Sequence, residues 1–262
     1  METNEDQGAV RRERRGQVEV LTLSYPARRN AVSMRMRAEL LEALTAILAD
    51  DGCRAVVLTG DGAHFCSGGD ITSFAGVTPA AGRQRMFRIH QILRLLIAGP
   101  KPVVAAVEGA AFGAGCSIAA ACDVVVAAED AKFSCPFNRF ALAPDWGGGW
   151  TLPNRMGVGR AKLFMLTGRA FGAPEAERLG LVDQLAPRGQ ALNTALAIAE
   201  DITRGAPLSN EVVKALLARG HGALEEALAA EADVQGVLYG TEDYNEGYAA
   251  FLEKRPPQFT GR

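Results

Sequence analysis

The feature that most constrains this chain is a series of short apolar runs that alternate with longer amphipathic segments. The run "RAVVLTG" is apolar almost throughout and ends at a glycine, which is typical of a buried strand. Between such runs, apolar residues recur at helical spacing, as from Met34 to Asp50, where Ser33 is placed as the N-cap. This alternation of strand and helix predicts crossover units, and hence an α/β fold whose sheet is covered by helices.

The remaining elements follow from the same patterns. A half-buried strand is predicted in "QVEVLTLSYP", further strands in "KPVVAAVEGAAF" and "VVVAAEDAKF", and helices within Gly82 to Ala98 and in "GAGCSIAAACD". From Pro207 onward the pattern is helical, in "PLSNEVVKALLARG" and from Leu224 to Glu253. We therefore predict a core over residues 1–188 and a helical C-terminal region over residues 189–262.

Charge, termini and cysteine content exclude several classes of protein. The formal net charge of -2 gives no overall basic field to attract nucleic acid. The polar start lacks the apolar core of a signal peptide, and no run reaches the ~18 apolar residues of a membrane span, so we expect a cytoplasmic protein with no membrane partner. The five cysteines include no C-x-x-C pair, which predicts reduced, mostly buried thiols, and with only three histidines no metal site is predicted.

Two glycine-rich turns are candidates for binding an oxyanion. Gly69 ends the stretch "FCSGGD", and Ala114 lies in "FGAGCS", where a helix begins. Two backbone N–H groups directed at one point stabilise a developing negative charge, and a helix N-terminus adds partial positive charge. Each turn alone is also explained as a tight turn that serves only the fold.

Asp145 lies in the stretch "APDWGGGW", between a proline and three glycines. Glycines allow backbone conformations that other residues avoid, so the stretch predicts a tight loop. The carboxylate on this loop has two explanations. It is the cap of the helix that follows, since Asp is a favoured N-cap, or it is a group placed to react.

Long motifs in the chain resemble the crotonase superfamily, the enoyl-CoA hydratase/isomerase family. They include "VVLTGDGAHFCSGGDI", "KPVVAAVEGAAFGAGCSIAAACDVVVAAEDAKF" and "GRAKLFMLTGRAFGAPEAERLGLVDQL". The resemblance implies a spiral of ββα units, a helical C-terminal trimerisation region, an acyl-CoA thioester substrate and no cofactor beyond that coenzyme A. It also implies that the amides of Gly69 and Ala114 bind the thioester oxygen. The long apolar pattern of "ALEEALAAEADVQGVLYG" agrees with a homotrimer or hexamer.

Two positions depart from the hydratases of this family. Where those enzymes carry two glutamates that hold and activate water, this chain has Ser117 and Phe137. Loss of both acids disfavours hydration. Double-bond isomerases similar to this chain carry an aspartate at the position of Asp145, so the resemblance predicts an enoyl-CoA isomerase with Asp145 as its base.

Three alternatives to the isomerase stay open. Dehalogenases of the superfamily carry an aspartate at the position of Asp145 and a histidine at the position of His90. In those enzymes the aspartate attacks an aromatic ring and the histidine activates water. The tryptophans of those enzymes are replaced here by Ile89 and Phe137. His90 alone is also explained as an ordinary helix residue. The other two alternatives are a hydratase-like enzyme and an inactive acyl-CoA-binding protein.

Substrate-binding residues are predicted from the same resemblance. Arg28 and Arg29 match the place where the family meets the phosphates of coenzyme A, a task that suits guanidinium groups. The backbone from Cys66 to Ile71 is predicted to hold the adenine end, with Lys254 and Arg255 adding charge. The acyl pocket is predicted to be lined by Ser117, Phe137, Phe140 and Trp146, and this lining favours an apolar or cyclic acyl group. The residues predicted to bind the adenine end are Cys66, Ser67, Gly68, Asp70 and Ile71.

Overall fold

The computed structural model describes residues 8–219 and 224–262 of the chain. The first seven residues of the predicted core, and residues 220–223 of the predicted helical region, lie outside the described residues. The strands are β1 (Ala9–Arg15), β2 (Val18–Ser24), β3 (Ala55–Gly60), β4 (Val103–Val107), β5 (Ala110–Phe112), β6 (Val124–Ala128), β7 (Lys132–Ser134), β8 (Phe171–Gly172) and β9 (Gln184–Ala186). The α-helices are α1 (Met34–Leu48), α2 (Pro79–Ala98), α3 (Ala114–Ala121), α4 (Gly148–Met156), α5 (Val158–Thr167), α6 (Ala173–Arg178), α7 (Ala191–Thr203), α8 (Pro207–Ala218), α9 (Leu224–Leu238) and α10 (Glu242–Glu253).

A large sheet carries the core of the molecule. Its strand order is β1-β2-β3-β4-β6-β9, and every pair from β2 to β9 is parallel. Strands β3 and β4 are buried on both faces, as expected where crossover helices cover a parallel sheet. Strand β2 is also buried over most of its length rather than half-buried, because β1 and β3 flank it and helices pack on it. The predicted α/β class is confirmed.

Strand β1 was not predicted from the sequence. It pairs antiparallel with β2, from Ala9 opposite Ser24 to Arg15 opposite Val18. Its sequence "AVRRERR" has no alternation of apolar and polar residues. Its arginines form ion pairs with acidic side chains instead. Arg12 and Arg14 donate to the two carboxylate oxygens of Glu19, at 2.9 and 2.8 Å. Glu19 is buried, with only 4% of its surface exposed. Ion pairing replaces apolar burial at this edge of the sheet.

A second, smaller sheet arises where two predicted strands each divide in two. The segment "KPVVAAVEGAAF" forms β4 in the large sheet and β5 in the small one, and "VVVAAEDAKF" forms β6 and β7 in the same way. The segment "KPVVAAVEGAAF" divides at Gly109. Its φ of +54° favours glycine, and a Cβ at this position would collide with the Ala63 carbonyl. Two strands in different sheets followed by a helix, as in β4-β5-α3, form a ββα unit.

Helix α7 begins the predicted C-terminal region but packs against β3 and β4. Its small residues Ala191, Ala195 and Ala199 are fully buried, which lets the helix approach the sheet closely. The Glu108 carboxylate, just beyond β4, accepts hydrogen bonds from the backbone N–H groups of Gly189 and Ala191. The division of the chain at residue 189 stays a prediction, and α7 adds to the core of the sheet.

The C-terminal segment differs from the single helix predicted over residues 224–253. Helix α9 ends at Leu238, and α10 begins after Thr241, whose hydroxyl accepts from the N–H of Tyr244 at 3.0 Å. This N-cap makes a new helix start and separates the two. No helix among residues 8–219 and 224–262 combines the length and apolar character needed to cross a bilayer. All five cysteines are free and buried, as predicted.

Candidate active site

The first glycine-rich turn is held by a parallel bridge between Val32 and Gly69. The N–H of Val32 donates to the Gly68 carbonyl at 2.8 Å, and the N–H of Asp70 donates to the Val32 carbonyl at 3.4 Å. In a parallel bridge of this kind the paired residue's own N–H points to the opposite side. The N–H of Gly69 is therefore directed away from Val32, and it has no acceptor within the described part of the chain.

The second glycine-rich turn begins helix α3. Gly113, at φ +53°, precedes the helix and donates its N–H to the Ser134 carbonyl at 2.8 Å. Ala114 is the first helical residue, so its N–H has no partner inside the helix. No other acceptor for this N–H is found among residues 8–219 and 224–262. A free backbone donor thus lies at the positive end of the helix dipole.

The two turns lie against each other. A Cβ placed on Gly68 would lie 3.2 Å from the Phe112 carbonyl oxygen and 3.8 Å from the backbone nitrogen of Ala114. Gly68 also has φ +119°, a conformation that favours glycine. The family resemblance implies that both turns serve one site, and the structure places Gly68 of the first turn against Ala114 of the second.

Asp145 lies on a tight turn and does not cap the following helix. The N-cap of α4 is Gly147, and no side chain accepts from its first turn. The turn is made by two successive left-handed residues, Trp146 at φ 50° and Gly147 at φ 68°, and the N–H of Gly148 donates to the Asp145 carbonyl at 3.0 Å. A tryptophan in this conformation is strained, which is typical of functional sites.

Asp145 is half-buried, and one of its carboxylate oxygens, Oδ1, is buried without a hydrogen-bond partner within the described residues. Burial raises the pKa of Asp145 from 3.8 to about 6, because the charged form loses its hydration, and the positive charge of Arg37 partly opposes this rise. A carboxylate with a pKa near neutrality and a free oxygen has the properties of a general base.

Arg37 was missed by the sequence analysis. It is on α1, only 7% exposed, and its Nη2 is 3.7 Å from the position of a Cβ on Gly69. Burial lowers the pKa of Arg37, as does the charge of Arg85, whereas Asp145 opposes the change. The signal was present, because Arg37 precedes Leu40 and Leu44 by three and seven residues and so falls in the apolar stripe of the helix.

The predicted acyl-pocket residues divide into buried and exposed members. Ser117 is fully buried, and its Oγ is 2.5 Å from where a Cβ on Gly148 would lie, so α3 and α4 approach closely here. The Phe137 ring is half-buried, with Cζ at 3.9 Å from a Cβ built on Gly113. Trp146 is 1% exposed, whereas Phe140 is largely exposed.

The contacts of His90 are those of an ordinary helix residue. It lies half-buried on α2, with its ring in an edge contact with Phe87 at a centroid distance of 6.3 Å. It lines a shallow groove with Arg94 and Trp150. Within residues 8–219 and 224–262, no hydrogen bond joins His90 to Asp145. The aspartate–histidine pair of the dehalogenase alternative gains no support from this geometry.

The predicted contacts for coenzyme A phosphates are brought next to the first glycine-rich turn. Ser67 donates from its backbone N–H to the Arg29 carbonyl at 2.9 Å and from its hydroxyl to the Arg28 carbonyl at 2.8 Å. Asn30, fully buried, holds this basic turn by donating to the carbonyls of Asp61 and His64. The side chains of both arginines remain exposed, as phosphate contacts require.

Other predicted binding residues have structural partners. Cys66 is buried, and its N–H donates to the Ala110 carbonyl, so it holds the loop and is not free to bind adenine through that group. Asp70 accepts from the N–H of Thr72 and caps the short 3-10 turn Ile71–Phe74, of which Ile71 is exposed.

At the C-terminal end, the two predicted cations differ. Lys254 is exposed at the end of α10. Arg255 is paired with Glu246 and Glu253, which raises the pKa of Arg255 and leaves its guanidinium already engaged by two carboxylates. Of the pair, only Lys254 remains a candidate for adding charge to a bound coenzyme.

Known proteins resemble this chain over nearly its full length. Residues 13–262 match the family model described as enoyl-CoA hydratase/isomerase. A protein of Rhodobacter capsulatus named "probable enoyl-CoA hydratase" is 41% identical over 93% of this chain and 94% of its own. The 1,2-epoxyphenylacetyl-CoA isomerase of Escherichia coli is 36% identical over 94% and 95%. The crystal structure of an enoyl-CoA hydratase from Polaromonas sp. JS666 superposes with a TM-score of 0.92 at 38% identity, over 96% of this chain and 100% of that one.

Proposed function

Because this chain belongs to the enoyl-CoA hydratase/isomerase family and has the crotonase fold, we propose that it is an enoyl-CoA double-bond isomerase. The observation that carries the proposal is the carboxylate of the half-buried Asp145, which has a free oxygen and a pKa of about 6. The relative named as an isomerase adds support. Other relatives are named hydratases, but Ser117 and Phe137 lack the carboxylates with which this family's hydratases activate water.

In the proposed reaction the substrate's thioester oxygen accepts hydrogen bonds from the N–H groups of Gly69 and Ala114. The Asp145 carboxylate removes a proton from a carbon whose electron pair then delocalises into the thioester as an enolate. Protonated Asp145 returns the proton to a different carbon of the same anion. No atom is gained or lost, the double bond moves, and one base serves both steps.

Proton exchange tests this proposal directly. An enoyl-CoA incubated with the enzyme in D2O is expected to return as its double-bond isomer. The isomer gains deuterium at the α or γ carbon whenever protonated Asp145 exchanges with the solvent before it returns the proton. Formation of a 3-hydroxyacyl-CoA would identify a hydratase, and halide release from a halobenzoyl-CoA would identify the dehalogenase alternative. Tight coenzyme A binding without turnover across a substrate panel would leave an inactive binding protein.

The pH profile of the isomerase is expected to report Asp145. A base must be ionised to accept a proton, so kcat/KM should fall as pH drops below about 6, by roughly tenfold for each pH unit. Melting temperatures measured over the same range identify any loss that comes from unfolding. A profile that is flat from pH 7 to pH 5, with the protein folded throughout, would contradict the assignment of Asp145.

The C-terminal helices are proposed to form the interface of a homotrimer, alone or paired into a hexamer. Tyr248, Phe251 and Leu252 on α10 are strongly exposed in the single chain, with Phe251 81% exposed, and such a patch is typical of an interface. Light scattering at micromolar concentration should give three or six times 27.7 kDa. Phe251→Asp should lower that mass. A monomeric parent, or an unchanged mass in the variant, would contradict the proposal.

A further inference from the structure

Within the described residues, the buried side-chain nitrogen and oxygen atoms without a protein partner are concentrated at the candidate active site. They belong to four residues, which are Arg37, Ser117, Asp145 and Trp146. Four of the five atoms are donors, namely Arg37 Nε and Nη1, Ser117 Oγ and Trp146 Nε1, and one, Asp145 Oδ1, is an acceptor. The site therefore has an excess of donors that the protein does not satisfy.

Arg37 is the strongest of these donors. Its one hydrogen bond, from Nη2 to the Val32 carbonyl, is long at 3.4 Å. Arg85, whose like charge acts on Arg37, is already bound to the Ser73 carbonyl at 2.9 Å. A buried guanidinium with two unpartnered nitrogens is costly, so a partner outside the protein chain is expected to satisfy it.

Asp145 does not satisfy Arg37 by direct contact. The two charges influence each other, but the Asp145 Oδ1 has no hydrogen-bond partner. Arg37 lies beside Gly69, whose N–H is a proposed ligand of the thioester oxygen. Arg37 thus lies near both Gly69 and Asp145, in the part of the site that the acyl group of a bound thioester would enter.

We propose that Arg37 donates a hydrogen bond to an oxygen atom of the acyl group, so that the substrate is an oxygen-bearing acyl-CoA. This inference rests on the proposed acyl-CoA function. It revises the apolar or cyclic group expected from Phe137, Phe140 and Trp146, because Arg37 was not part of that expectation. The acyl group must supply an oxygen atom that accepts a hydrogen bond from Arg37. A carboxylate, a carbonyl group or a hydroxyl group each provides such an oxygen.

Binding of saturated thioesters tests the inference without requiring turnover. The parent protein, Arg37→Met and Arg35→Met are each titrated calorimetrically with the same thioesters. These are hexanoyl-CoA, hexanedioyl-CoA and 6-hydroxyhexanoyl-CoA, together with their four- and eight-carbon analogues. Arg35 is on the same helix but pairs with Glu39, so its variant is the matched control. Arg37→Met should melt no lower than the parent, since an apolar side chain of similar size replaces an unpaired buried charge.

The parent should bind an oxygen-bearing thioester about 10- to 100-fold more tightly than the hydrocarbon of equal length, as a charge-assisted hydrogen bond provides. Arg37→Met should abolish that difference and Arg35→Met should retain it. Preference for hexanedioyl-CoA identifies a carboxylate, and preference for the hydroxy compound a neutral oxygen. Equal binding of all thioesters by the parent, or a preference that survives in Arg37→Met, overturns the inference alone. Binding of none overturns the proposed function with it.

Discussion

Asp145→Asn is expected to lose isomerase turnover by ~1,000-fold or more while still binding coenzyme A thioesters. Asparagine keeps the size of the side chain but removes the oxygen that accepts the proton. The carboxylate does not cap α4 and its Oδ1 has no partner in the described part of the chain, so we expect the substitution to leave the fold intact. Initial rates and thioester affinity, measured on the same preparation, separate loss of the base from loss of the site.

The stability of Asp145→Asn gives a second, independent readout. Because the pKa of Asp145 rises from 3.8 to about 6 on folding, the folded protein binds the proton more tightly, and stability falls as pH rises through that window. The rise corresponds to ~3 kcal/mol. The variant has no such charge, so it should melt at or above the parent temperature at pH 7, and the gap should close towards pH 4.

His90→Gln is the matched control for this experiment. An isomerase forms no aryl ester that a histidine must hydrolyse, so this variant should keep most of its turnover. If Asp145→Asn remains active, the base lies elsewhere in the site. If both variants are inactive and the parent releases halide, the enzyme is a dehalogenase.

The sequence predicts four strands of the large sheet, β2, β3, β4 and β6, because these are defined locally. Runs such as "RAVVLTG" are apolar enough to be recognised alone, and the N-cap at Ser33 is confirmed by its hydroxyl, which accepts from the N–H of Met36 at 3.1 Å. Strand β1 and the small sheet depend on partners distant in sequence. Local periodicity does not reveal that Glu19 will satisfy two arginines, or that the chain will change sheets at Gly109.

The candidate site divides in the same way. The turns at Gly69 and Ala114 and the loop at Asp145 carry glycine patterns that are visible in the sequence. The buried guanidinium of Arg37 near them was not predicted. Arg37 is 108 residues from Asp145 in the chain, and only the packing of α1 near the first glycine-rich turn gives it a place in the site. Burial, which is a property of the fold, also determines the raised pKa of Asp145.

Ala114→Pro is expected to lower turnover by ~100-fold or more without unfolding the protein. Ala114 is the first residue of α3, a position where proline is well tolerated because the N–H there has no helical partner. The substitution deletes the proposed donor, because the proline nitrogen carries a ring carbon where the amide hydrogen was. The loss should therefore appear in kcat/KM, measured beside a melting curve.

Ala114→Ser is the matched control, because it changes the side chain and keeps the backbone N–H. Ala114 is almost fully buried, and serine enlarges the side chain by one atom while it keeps the backbone N–H. If the amide is the functional group, the serine variant should stay within a few-fold of the parent whereas the proline variant falls, because only proline removes a donor from the developing enolate. A folded Ala114→Pro protein with unchanged turnover would remove this amide from the site. Gly69 would then be left as one donor, which by itself does not form the two-donor arrangement on which the proposed enolate stabilisation depends.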